Sequence, residues 1–142
     1  MAISNINSLS LDPSGGFPAS ATATVATSQT TTSTSYTDIA TAGPAVTVTT
    51  GTKALVSISA AFVNSTTNQA WFSFAVSGAT TVAASDTFGA LLTSTGYFAF
   101  SRTFMLTGLS PGSNTFTMKY RDAAVGTATF ENRNIIVIDM GS

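Results

Sequence analysis

No histidine and no cysteine occur among the 142 residues of this chain. That inventory removes the nucleophile–base pairs, the thiolate chemistry and the zinc sites those side chains make possible. Carboxylates remain at Asp12, Asp38, Asp86, Asp122, Glu131 and Asp139. Glycoside hydrolysis needs two of them facing each other across a bond, and none are spaced to converge within one element. A calcium loop needs several oxygen ligands within about a dozen residues, and no such window holds more than two acids, as that of Asp122 with Glu131 does. Thr50-Gly51-Thr52-Lys53 echoes a phosphate-binding loop but lacks its spacing and its following helix. The expectation is a protein that is not an enzyme and uses no metal and no cofactor.

Residues that could bind without reacting are easier to find. Trp71, Tyr97 and Tyr120 could form a platform for sugar rings, or serve as core or interface anchors, the commoner fate of aromatic side chains. Arg102 breaks the pattern of its strand by falling in phase with Phe98, Phe100 and Phe104. A charge on a core face is costly unless paired, so Asp139 or Glu131 reaches it, or the face is a subunit interface, or the guanidinium follows its stem out to water. Asn64-Ser65-Thr66 matches a glycosylation sequon, an accident of composition in a chain so rich in Ser and Thr.

The elements that must position these residues read as strands. After Gly43-Pro44 the hydrophobic period becomes two: Val46 and Val48 share a face, and Gly51-Thr52 reads as a hairpin turn into a strand over 54–64. Phe72, Phe74 and Val76 share a face over 70–77. Residues 97–106 carry Phe98, Phe100, Phe104 and Leu106 in phase, and the turn 108–114 is expected to fold 115–121 back beside them as an antiparallel pair. Residues 126–131 and 135–140 supply two more strands, the last apolar enough on both sides for a sheet interior. Seven or eight such strands make an all-β protein, an antiparallel β-sandwich of jelly-roll-like topology, with no internal repeat.

The first forty residues differ. Ser, Thr, Ala, Asn and Gly dominate, and Pro13, Gly15, Gly16 and Pro18 interrupt any regular element. Residues 20–34 carry too little apolar mass to nucleate a core. A run of this kind takes up structure only on a surface, its own or a partner's, that offsets its conformational entropy. The expected division is an extended N-terminal attachment arm over 1–35, anchored by Ile3, Ile6, Leu9, Leu11 and Phe17, and a sandwich over 36–142. The other reading of the arm is an extra edge strand on its own sandwich.

Composition points to an assembled state. Charged residues are 8% of the chain and Thr and Ser roughly a third, where soluble domains carry about a quarter charged. A surface that needs about 25–35% charge to keep monomers apart must here be covered by something. The net charge of −1 gives no footprint for nucleic acid. No apolar run is long enough to span a membrane, and the residues following Met1 lack the pattern of a secretory leader, so synthesis and release in a cytoplasm are expected.

The C-terminal half, with Thr107-Gly108-Leu109-Ser110-Pro111-Gly112, Lys119-Tyr120-Arg121 and the run 126–138, resembles the β-sandwich domains of tailed-bacteriophage structural proteins, capsid decoration (cement) proteins and fibre heads. The resemblance covers about residues 36–140 and is one of pattern. It implies a non-enzymatic virion protein, assembled in the host cytoplasm, commonly a homotrimer, whose partners are itself and the major capsid protein or another virion protein. A decoration protein gripping the outer capsid surface is the first reading. A receptor- or glycan-binding head of a tail or fibre, using Trp71, Tyr97 and loop 65–69, is the second.

Overall fold

The computed structural model describes residues 17–142. Nine strands make up almost all regular structure: β1 (Ser20–Val25), β2 (Gln29–Thr31), β3 (Ala45–Thr50), β4 (Lys53–Asn64), β5 (Ala70–Gly78), β6 (Ala90–Leu92), β7 (Phe98–Thr107), β8 (Gly112–Asp122) and β9 (Ala128–Asp139). The helical element among the described residues is one 3-10 turn, Asp86–Phe88. β1, β9, β4 and β7 lie side by side in that order, with β2 also on β9, and β3, β8, β5 and β6 form a second sheet. Every pairing is antiparallel. The molecule is an all-β sandwich of two facing sheets.

Period-two patterning explains the core. Val56, Ile58 and Phe62 of β4, Phe72, Phe74 and Val76 of β5, and Phe116, Met118 and Tyr120 of β8 point inward and are buried, while their neighbours along each strand, apart from the buried Ser73, are not. Phe62 stands edge-on to Phe72 at 5.0 Å and stacks on Phe130 at 5.8 Å, joining the sheets through aromatic contacts. In β9 the inward parity changes within the strand. Ala128 and Phe130 face the core, then Arg133, Ile135 and Val137. A register irregularity against Ser59 and Ala61 lies at this point, and Asn132 there has φ +49°. A bulge adds one residue and inverts the alternation, and Asn tolerates the left-handed backbone.

Two sequence expectations are corrected by the pairing. Residues 97–106 and 115–121 do not form a hairpin: β7 pairs with β4, while β8 lies between β3 and β5 in the other sheet. Gly51-Thr52 likewise joins β3 of one sheet to β4 of the other. Both connections are arches across the sandwich. Periodicity marks which face of a strand is buried but carries no information on which sheet it joins.

The boundary expected at residue 35 is corrected too. β1 pairs with β9 from Ser20↔Ile138 to Val25↔Arg133, and β2 continues along β9 from Gln29↔Phe130. Backbone bonds then tie Ser33 to Asp122 and Thr37 to Tyr120 at β8. Residues 20–37 therefore close one side of the sandwich as its own edge. Strand pairing recruits backbone groups, which is how a run so poor in apolar mass is held.

Candidate functional site

Among the described residues β7 ends the five-stranded sheet with no strand beyond it, and it is exposed along most of its length. Its inward-facing row is Phe98, Phe100, Arg102, Phe104 and Leu106. Only Leu106 is buried, with Phe104 half-buried, whereas Phe98 is 51% exposed and Phe100 44%. The cause lies in the opposing sheet. That sheet stops at β6, three residues long, so the row on β7 runs past the edge of the layer that would cover it. Phe100 still touches the core through an edge-on contact with Phe62 at 5.8 Å, and it leans on Phe98 at 6.3 Å. Tyr97, just ahead of the strand, is 54% exposed.

The outward face of the same sheet continues this surface. Leu55 sits between Met105 and Ile138 across three strands. Met105 and neighbouring Ile136 are exposed at 52% and 40%. Small polar residues fill the rest, with Thr103 donating to Ser57 at 3.1 Å. A hollow of about 310 Å³ at the inner end of β7 is lined by Ser59, Ala61, Ala99, Phe100, Ser101 and Asn132. No carboxylate or ammonium group lines it, and a long strand with one bare edge and apolar side chains on both faces is the kind of edge that can template pairing with another chain.

Arg102 is the one charge on β7. Its guanidinium lies 4.7 Å from the Phe104 ring centre and donates to the Gly89 carbonyl. Neither Asp139 nor Glu131 reaches it. Asp139 instead accepts from the backbone N–H of Gly51 and Gly141. The side chain is exposed, so the expected buried charge is not at this position. It is at Arg133, fully buried, whose guanidinium donates to the carbonyls of Thr41, Gly43 and Thr27 and to Gln29 Oε1, with the Tyr120 ring 5.3 Å away. The signal in the sequence was its phase, two residues before Ile135 and four before Val137.

The three aromatic candidates do not meet in one platform. Tyr120 is a core residue with no exposure, and its hydroxyl donates to the Gly43 carbonyl at 2.8 Å. Burial raises the pKa of that phenol. Trp71 is half-buried on the outer face of the four-stranded sheet, its indole N–H donating to Gln69 Oε1. Arg121 lies over both Trp71 and Tyr36, at 5.2 and 5.3 Å, and grips Asp86 through both carboxylate oxygens. Tyr36, which no sequence pattern singled out, donates to Asp86 Oδ1 at 2.9 Å, and burial with this hydrogen bond raises its pKa. A shallow groove of about 590 Å³ beside them is lined by Ser35, Tyr36, Ser85, Asp86, Lys119 and Arg121.

Of the arm anchors, Phe17 is described and is 89% exposed. Ile3, Ile6, Leu9 and Leu11 lie outside the described residues.

No protein-family model matches the chain, and no curated protein matches it. Solved structures do. The Eiger TNF of S. frugiperda aligns with a TM-score of 0.58 at 10% identity, over 88% of this chain and 94% of that one. The architecture is jelly-roll-like. A protein of the infectious bursal disease virus Gx strain aligns over 88% of this chain and 33% of its own length, with a TM-score of 0.47 at 12% identity. The CBM22-1 xylan-binding domain of Paenibacillus barcinonensis Xyn10C aligns at 0.42 and 16% identity, over 89% of this chain and 88% of that domain. The likeness to the Eiger TNF, at 10% identity, establishes fold and leaves function to the site.

Proposed function

We propose that this chain is a non-enzymatic virion structural protein, a capsid decoration (cement) protein that binds the outer capsid surface, stabilises it and acts as a homotrimer. The observation that carries the reading is β7, a ten-residue edge strand exposing Phe98 and Phe100 on one side and Met105 on the other. A chain with only 8% charged residues has little else to keep such a strand from pairing. In this reading β7 and the adjoining outer face join copies of the chain. The segment holding Ile3, Ile6, Leu9, Leu11 and Phe17 grips the major capsid protein. The resemblance of residues 36–140 to phage decoration and fibre-head domains supports the location. Quantitative mass spectrometry of purified particles tests it: the chain should be present in a fixed ratio to the major capsid protein, and its absence from particles would sink the proposal.

The groove beside Arg121 favours a second reading, a receptor- or glycan-binding head. Hydroxyls, a carboxylate and two cations line it, with Trp71 and Tyr36 at its margin. Glycan-array binding that is lost in Trp71→Ala and Tyr36→Ala, with assembly intact, would favour this reading over the first.

A further inference from the structure

Asp122 is fully buried at the end of β8, and its two carboxylate oxygens are treated unequally. Oδ1 accepts from the Asn64 side-chain amide at 3.0 Å and from the Ala124 N–H at 3.5 Å. Oδ2, equally buried, takes no hydrogen bond from any group among the described residues. A buried carboxylate normally has a cation or a full set of donors, because desolvating the charge is otherwise costly.

None of the Lys and Arg side chains pairs with Asp122. Its five Lys and Arg residues are Lys53, Arg102, Lys119, Arg121 and Arg133. Lys119 pairs with Asp38 and Arg121 with Asp86. Arg102 and Arg133 donate to carbonyls and to Gln29, and Lys53 lies exposed at the start of β4.

Three side-chain oxygens, Oδ2 among them, converge beside Gly126. A β-carbon placed on Gly126 would lie 2.6 Å from Asn64 Oδ1, 3.0 Å from Asp122 Oδ2 and 3.0 Å from Thr66 Oγ1. Glycine at 126 is thus what lets the loop bring the three oxygens together. Thr66 Oγ1 is 3.1 Å from Asn64 Oδ1 and 3.2 Å from the Val125 carbonyl, which also accepts from the Asn68 side chain. One carboxylate, an amide oxygen, a hydroxyl and a backbone carbonyl form a donor set without nitrogen or sulfur. That set suits a hard cation, and its irregular spacing suits Ca²⁺ better than Mg²⁺, which demands near-octahedral geometry.

We propose that Asp122 Oδ2, Asn64 Oδ1, Thr66 Oγ1 and the Val125 carbonyl hold a calcium ion that pins loop 65–69 to loop 123–127 at one end of the sandwich. A single carboxylate gives weak binding, with half-saturation at about 0.1–1 mM. The site is independent of the capsid reading.

The experiment uses full-length protein stripped with chelator and then titrated with CaCl₂, with MgCl₂ and NaCl at matched ionic strength as controls. Thermal unfolding is followed by fluorescence, and equilibrium dialysis with ⁴⁵Ca²⁺ gives the stoichiometry. Expected are one ion per chain and a midpoint raised by about 3 °C or more at ten times half-saturation. The midpoint shift should be absent in Asp122→Asn and reduced in Thr66→Ala. If Asp122→Asn does not fold, the wild-type stoichiometry and the Thr66→Ala titration decide. A wild-type midpoint that 10 mM Ca²⁺ leaves unmoved, dialysis showing no bound ion, or an equal response in the variants would overturn the proposal.

Discussion

On one side of the five-stranded sheet, β9 is covered by β1 and β2, and residues 33–37 carry the chain on to β8. On the other side β7 has no strand beyond it among the described residues. The covered edge is built from Ser-Ala-Thr-Ala-Thr-Val and Gln-Thr-Thr, which bring little apolar surface. The bare edge is built from Phe-Ala-Phe-Ser-Arg-Thr-Phe-Met-Leu-Thr. A sheet edge can be closed by backbone hydrogen bonds alone, so a weak sequence suffices where the chain covers itself. An apolar strand left bare is normally blunted by charge, proline or a bulge. β7 has a single Arg and none of the other devices, and the proposed assembly role rests on that difference.

The largest contrast should come from truncating one apolar side chain on each side. Ile135 of β9 is fully buried between Ala23 and Ile58, and Ile135→Ala should cost about 2–5 kcal/mol. Phe98→Ala on β7 should cost under about 1 kcal/mol, because half of its ring is already in water. Urea unfolding of the two variants measures both; equal losses would erase the distinction between the edges.

Removing the covering strands should have the next effect. Deleting residues 2–18 should leave the thermal midpoint unchanged, whereas deleting 2–32 removes β1 and β2 and should lower it by about 5 °C or more. A body that tolerates the longer deletion without loss would show that the covered edge needs no cover. Particle binding should disappear with the shorter deletion, since Ile3, Ile6, Leu9, Leu11 and Phe17 are the proposed grip.

Alkaline pH probes the covered side through Tyr120, packed on Phe130 at 4.8 Å and on the Arg133 guanidinium. Its folded pKa is raised, chiefly by burial, so the folded state holds the phenol proton after the unfolded chain has released it. This contribution is fully present below about pH 10 and is lost as pH rises from there toward the folded value, at up to about 1.4 kcal/mol per pH unit. Tyr120→Phe should flatten that fall, in denaturant titrations from pH 8 to 11.

Much of this architecture was legible in the sequence. Period two over residues 45–77 and 97–121 and the doubly apolar 135–138 identified a sandwich with β9 in a sheet interior. The partner strand of β7 was not legible, because Phe98, Phe100 and Phe104 in phase look the same whether or not an opposing sheet extends far enough to cover them. Arg133 shares the phase of Ile135 and Val137 but not that of Ala128 and Phe130, and the bulge at Asn132 that reconciles the two phases was not legible. The oxygens around Asp122 were hidden by distance along the chain: Asn64 and Thr66 lie almost sixty residues before it. Residues 20–31 read as linker because their strand character comes from backbone pairing with β9.

The smallest expected change in stability accompanies the largest expected change in assembly, and light scattering on Phe98→Lys/Phe100→Lys reads it most directly. At micromolar concentration the wild type should have three times the 14.4 kDa chain mass. The double variant should run as a monomer, its thermal midpoint within about 3 °C of wild type. A wild type that stays monomeric, or a double variant that still forms trimers, would contradict the assignment of β7 as the assembly surface.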